Sequence, residues 1–219
     1  MNRVYFVGPS GSGKTTLMVS KLYNELQGLN KKQVKLFIIS KTAKYQQVFD
    51  HIEPWVTDWY DYVNSSTMNY LADIVEENLN KKNPKQIIIV FDDQGTNTYI
   101  KLEKKNNKLN ELIEGAIHLK VSLLFCFQQI QQMTTAMRDN FDAIFMFRPL
   151  NDKQKKIFKE EFCGDLSDEA YDELTRAGWN LMSNHNYIAV VRRNGEDETT
   201  RFFINESEIS FKGIGNKYL

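Results

Sequence analysis

Gly8-Pro9-Ser10-Gly11-Ser12-Gly13-Lys14-Thr15 decides how this chain folds. The octapeptide follows the apolar run Val4-Tyr5-Phe6-Val7 and opens a segment whose apolar residues Leu17, Met18, Leu22, Leu26 and Leu29 recur at three- and four-residue spacing. That spacing predicts one face of a helix over about 14–28. The stretch fits G-x-x-x-x-G-K-[ST] at every specified position, in the strand-then-helix context the motif requires. Glycines let the backbone curl so that N–H groups point inward. The helix adds its positive N-terminal end. Gly8, Pro9, Ser10, Gly11, Ser12, Gly13, Lys14, Thr15 and the adjacent Thr16 are therefore candidate ligands of a nucleotide's phosphates. Lys14 can reach the β- and γ-phosphates, and the Thr15 hydroxyl can ligate Mg²⁺.

Outward from this loop, short apolar runs alternate with helical patterns. Further strands are predicted at 34–39, 87–91, 121–127 and 143–147, and helices at about 67–80, 99–118, 130–139 and 152–162. The runs lack period-2 alternation, which marks strands covered on both faces, as in a parallel sheet between helix layers. The tail differs. Tyr187-Ile188-Ala189-Val190-Val191 and Arg201-Phe202-Phe203-Ile204 flank Asn194-Gly195, a hairpin signal. The expected fold is α/β: a core over 1–165, then a C-terminal appendix over 166–219 made of a polar helix and a β-hairpin.

Composition narrows the function. The chain has 219 residues, 42% hydrophobic and 26% charged, enough to bury a full core. Lys plus Arg total 28 and Asp plus Glu total 28, so there is no chain-wide basic field, and any nucleic-acid contact comes from local patches. Cys126 and Cys163 cannot make a disulfide framework, and a reduced cytosolic setting fits. No apolar run approaches the ~18 residues of a membrane span. The apolar stretch after Met1-Asn2-Arg3 stops at Gly8, too soon for a signal-peptide core, so the protein is expected to be soluble and not secreted.

Two more elements close apolar strands with polar side chains. Ile87 to Phe91 runs into Asp92-Asp93. In open α/β sheets ligands bind at the carboxyl ends of strands. Asp92 is placed to hold Mg²⁺, directly or through water, and Asp93 to orient or deprotonate an attacking water. Val121 to Phe127 runs into Gln128-Gln129. If that strand lies between the loop strand and the acidic strand, Gln128 faces the γ-phosphate or its water. A helix-capping or loop amide is the plainer account of Gln128.

Together these residues resemble the FtsK–HerA superfamily of ring ATPases, most closely the viral branch of poxvirus-type genome-packaging ATPases. Met137-Arg138-Asp139-Asn140, ahead of the run Ala143 to Phe147 that ends at Arg148, adds to the likeness, which covers about residues 1–165. The resemblance implies a RecA-like (ASCE-type) P-loop core with sheet order 5-1-4-3-2, counting the five predicted strands in chain order. It implies ATP and Mg²⁺ as ligands and a homo-oligomeric ring, a hexamer, that moves double-stranded DNA into a capsid at a portal-vertex protein. The setting would be the host cytoplasm and the virion. ATP would sit between subunits, with an arginine reaching the neighbour's γ-phosphate. Arg138, expected near the ligand edge of the sheet, and Arg148 are the candidates, and the sequence does not choose between them.

Other features have bland readings. Lys101, Lys104, Lys105 and Lys108, and again Lys153, Lys155, Lys156 and Lys159, could face DNA, but a solvated helix face explains them as well. The acidic run Asp165, Asp168, Glu169, Asp172 and Glu173 reads as a solubilising face or a docking surface. Tyr45, Phe49, Trp55, Trp59, Tyr60 and Tyr62 fit core or interface packing better than base stacking. His51, His118 and His185 lack zinc-ligand spacing. Among rival functions, a GTPase would need Asn-Lys-x-Asp on a later strand, but Asn80-Lys81-Lys82-Asn83 and Asn30-Lys31-Lys32-Gln33 lack the acid. A nucleotide kinase would need an arginine-rich lid. An adaptor that binds ATP without turnover has no use for two acids.

Overall fold

The computed structural model describes residues 2–94, 108–179, 185–193 and 199–209. The central strand β1 (Arg3–Val7) is buried throughout. It pairs in parallel with β5 (Val121–Phe127) on one side and β6 (Ala143–Phe147) on the other. Next to β5 comes β4 (Gln86–Asp92), then β2 (Val34–Ile39), all parallel. The five predicted strands therefore stand in the order the resemblance implied. A sixth parallel strand, β3 (Val56–Tyr60), was not expected; it lies at the edge beside β2.

The C-terminal segment continues the same sheet. β7 (Tyr187–Arg193) pairs antiparallel with β6, β8 (Thr199–Ile204) with β7, and the short β9 (Ser207–Ile209) with β8. The full order is β3-β2-β4-β5-β1-β6-β7-β8-β9.

Side chains alternate across the pleat and build a core on each face. Val4 and Phe6 face α1 (Lys14–Gln27), where they meet Met18, Val19, Leu22 and Leu26. Tyr5 and Val7 face the other layer, made by α2 (Ser65–Leu79), α3 (Lys108–Gly115), α4 (Thr135–Asp139), α5 (Asp152–Phe162) and α6 (Asp168–Gly178). On that face the rings of Phe91, Phe125 and Tyr5 stack across three strands, with centroids 4.5 and 5.1 Å apart. Both cysteines are free and buried.

Three helix boundaries differ from expectation. The helix read over 99–118 is described from Lys108 and stops at Gly115, and residues 99–107 lie outside the described residues. The helix read over 130–139 is two pieces, a 3-10 turn (Ile130–Gln132) and α4, because the Thr134 side chain accepts from Met137 N–H and starts a new helix. Arg138 is also misplaced by the sequence reading. α4 belongs to the crossover that carries the chain back to the amino edge of the sheet. There the Asn140 amide oxygen accepts from Arg3, at the start of β1. Arg138 therefore sits near the amino edge, bonded to Glu161 near the end of α5 at 2.7 Å.

The aromatic stretch packs as expected at Phe49, Trp55 and Trp59. Phe49 is buried with Trp59 edge-on to it, and Trp55 stands edge-on to Tyr23. Tyr45 and Tyr62 are exposed.

Arg3 ties the amino edge together. Its guanidinium binds Asp142 at both oxygens (2.8 and 3.1 Å), and its N–H donates to the same carboxylate at 2.7 Å. The side chains are 6% and 16% exposed, so removing one partner strands a buried charge. Asp142→Ala should cost about 3–5 kcal/mol in urea unfolding, and Arg3→Met with Asp142→Leu should cost less than that single change. A loss below about 1 kcal/mol for Asp142→Ala would place the pair with ordinary surface ion pairs.

Candidate active site

The loop after β1 is shaped by its glycines and by what crowds them. Gly8 N–H donates to the Phe127 carbonyl at 3.0 Å, pinning the loop to the end of β5. A Cβ on Gly8 would come within 2.6 Å of the Phe147 Cβ, so no larger residue fits. Gly13, at φ 91°, is the residue before α1 and offers no side-chain cap. The contrast within the chain is informative. Asn64, Thr134, Asn151 and Ser167 cap α2, α4, α5 and α6 through their side chains. The first turn of α1 also carries no acidic residue. Beside it the Ser12 hydroxyl is buried without a partner. An uncapped helix start, an orphaned hydroxyl and a nearby lysine form a cradle for an anion. The Lys14 ammonium, mostly buried, rests on the Pro9 carbonyl at 3.4 Å.

Asp92 closes β4 next to this cradle and is 2% exposed. Its two oxygens accept from the Thr15 hydroxyl at 3.1 Å and the Ser40 hydroxyl at 3.2 Å. Burial pushes the Asp92 carboxyl above the ordinary carboxylate range. The two hydroxyls oppose that rise, and the Asp93 charge adds to it. The neighbouring Cys126 thiol, 3.4 Å from the Met18 sulfur, is held well above its usual value by burial and by the Asp92 charge, and stays protonated.

Asp93 leaves the strand at φ 52°, in the left-handed region that Asp tolerates better than most residues. Its Oδ1 accepts from the Gln128 side-chain amide at 2.9 Å. Gln128 stands at the end of β5, which lies between β1 and β4 as its expected role required. Gln94 is buried and locks this corner: its oxygen accepts from Val63 N–H, and its amide donates to the Asp61 carbonyl.

The structure thus gathers the loop, Lys14, Thr15, Asp92, Asp93 and Gln128 at the carboxyl edge of β1, β4 and β5. Arg148, exposed at the end of β6, borders a cavity of about 370 Å³ in front of Pro9 to Ser12. Arg138 is not brought there. Ser40 was missed in the sequence, although it closes an apolar strand as Asp92 and Gln128 do. Lys101, Lys104 and Lys105 lie outside the described residues. Lys108 is paired with Glu111, Lys155 with Asp152, Lys156 with Glu160 and Lys159 with Asp168. That pattern suits the solvated-face reading.

Residues 1–159 match the family described as Poxvirus A32 protein. The chain belongs to that family. This A32-family chain is a P-loop ATPase of the FtsK–HerA type, in its poxvirus-like viral branch. It is 25% identical over 182 residues to the uncharacterized protein 088R of Invertebrate iridescent virus 3, a match covering 80% of this chain and 66% of that protein. Among solved structures it resembles the genome packaging NTPase B204 of Sulfolobus turreted icosahedral virus 2 in complex with AMP. The TM-score is 0.66 at 14% identity, covering 94% of this chain and 97% of the other. It also resembles EssC (ATPases 2 and 3) from Geobacillus thermodenitrificans, with a TM-score of 0.61 at 11% identity, covering 93% of this chain and 39% of the other. At those identities the likeness speaks for the fold.

The burial of Asp92 has a measurable consequence. Its raised value means the ionised form costs more in the folded chain than in the unfolded one. Wild-type stability therefore falls as pH rises from the ordinary Asp range through the raised value. Without nucleotide or Mg²⁺ at pH 7, Asp92→Asn should raise Tm by about 3 °C in calorimetry. The gain should shrink as pH falls into the carboxylate range; a lowered Tm would contradict this account.

Proposed function

We propose that the chain hydrolyses ATP to drive double-stranded DNA into a viral capsid, working as a homo-oligomeric ring. The observation that carries this reading is the Thr15–Asp92 hydrogen bond beside an uncapped helix start, with Asp93 and Gln128 at the same edge. In this reading residues 1–165 form the ATPase core and 166–219 its appendix. The partners are DNA, a capsid or portal-vertex protein and further copies of the chain, in the host cytoplasm and the virion.

The residues fit a magnesium nucleotide. Thr15 and Asp92 supply the hard oxygens Mg²⁺ prefers, and Asp92 is a buried acid facing only hydroxyl donors. Mg²⁺, when bound, would bridge phosphate oxygens and draw charge from them. Lys14 would leave the Pro9 carbonyl for the β- and γ-phosphates. The N–H groups of Gly11 to Thr15 and the Ser12 hydroxyl would complete the cradle. Asp93 would orient the attacking water and take its proton, and Gln128 would hold that water against the γ-phosphate. In a head-to-tail ring the face that offers a finger differs from the face that carries the loop. Arg138 lies away from its own loop and meets that condition, while Arg148 is placed for its own subunit's phosphates. A trans finger is worth ~10³–10⁵ in rate.

Lys14→Ala should abolish ATP hydrolysis, while Asp93→Asn should bind ATP and fail to hydrolyse it. Equal loss of binding in Asp93→Asn would make Asp93 a metal ligand instead. Double-stranded DNA should raise the steady-state rate of the assembled ring. A monomer that is fully active and indifferent to DNA would end the motor reading. Mixing Arg138→Ala with Lys14→Ala chains should restore part of the activity, and mixing Arg148→Ala with Lys14→Ala should restore none. The reverse pattern would exchange the two roles.

A further inference from the structure

Past Gly13 a second cavity, of about 440 Å³, opens along the flank of α1. Its floor is Thr16, Leu17 and Ser20, which share one stripe of the helix. Its opposite wall is aromatic: Phe147 from the end of β6, and His185 and Tyr187 from the start of the C-terminal hairpin. Its volume falls within the range of small-ligand sites.

The wall is braced to the phosphate loop and to α1. The His185 ring nitrogen Nδ1 lies 3.2 Å from the Ser12 carbonyl oxygen. A Cβ on Gly13 would meet the same nitrogen at 3.2 Å, so the glycine gives His185 its place against the loop. The Tyr187 ring packs on Phe147, centroids 5.5 Å apart, and its hydroxyl donates to Glu206 at 2.8 Å. Glu206 also accepts from Lys21 of α1 at 3.3 Å. One end of the cavity is therefore the positive start of α1, and the rest is a flat aromatic wall facing two hydroxyls, Thr16 and Ser20. A phosphate at one end, a sugar over hydroxyls and a planar ring against aromatic side chains match those surfaces in that order.

We infer that this cavity seats the sugar and base of the nucleotide whose phosphates lie in the loop, so that the C-terminal hairpin is a wall of the nucleotide site through His185 and Tyr187. The inference rests on the proposed reading of the loop as a triphosphate site. Base and loop are then read separately: inorganic tripolyphosphate uses only the loop, whereas ATP uses both.

The test is calorimetric titration of the full chain with ATP and with inorganic tripolyphosphate, each with Mg²⁺. His185→Ala removes part of the wall, and Ser20→Trp fills the cavity from an exposed floor position. Each should weaken ATP about ten-fold and leave tripolyphosphate within about two-fold of wild type. ATP affinity that holds or rises in both variants would overturn the inference. So would tripolyphosphate weakening by the same factor as ATP. Failure of the underlying reading looks different: wild type would bind neither ligand, or Lys14→Ala would bind tripolyphosphate as wild type does.

Discussion

A nearly dry carboxylate holds three elements in register. Asp92 closes β4, Thr15 comes from the first turn of α1 and Ser40 follows β2, and both hydroxyls donate to it. The strand order makes this meeting possible, because β4 lies between β2 and β5 with the loop strand one further along. Hydroxyls are weak compensation for a buried negative charge, and burial accordingly raises the carboxyl. The fold keeps a destabilising acid at the mouth of an anion cradle. Such an arrangement gives up stability in the empty protein and recovers it when a cation binds.

The parallel core was legible because its strands are buried on both faces and so read as unbroken apolar runs. β3 was not. Val56–Tyr60 is an edge strand with Thr57 and Asp58 exposed, and its sequence reads as a polar aromatic linker. Edge strands pair on one side only and carry charge to blunt the other. The hairpin was legible as a hairpin, but local pattern does not say which edge a hairpin joins. Its register with β6, from Ala143 opposite Val191 to Phe147 opposite Tyr187, is a tertiary outcome.

The site was legible wherever a polar side chain closes an apolar strand, since such a residue needs a partner the strand cannot supply. Asp92, Asp93 and Gln128 were found that way, and Ser40 obeys the same rule. His185 carries no local signal: it reaches the loop across 173 positions of sequence. Arg138 was placed at the wrong edge because its helix was judged by nearness to the Gln128 strand. A crossover between parallel strands must return the chain to the amino edge before the next strand begins.

The two neighbouring acids owe their different surroundings to the backbone. Along a strand, successive side chains point to opposite faces. Had β4 continued, Asp93 would have faced the layer of α2 and α3, among the rings of Phe91 and Phe125, where a carboxylate has no partner. At φ 52° the chain instead turns out of the sheet at Asp93. The carboxylate then meets the Gln128 amide at the sheet's carboxyl edge. Asp92 stays within the pleat, on the face of Cys126 and α1, bonded to hydroxyls. One residue in a sparsely occupied conformation thus separates a buried, metal-suited acid from an exposed acid that can meet water. A local strain of about 1–3 kcal/mol is in keeping with what functional sites retain.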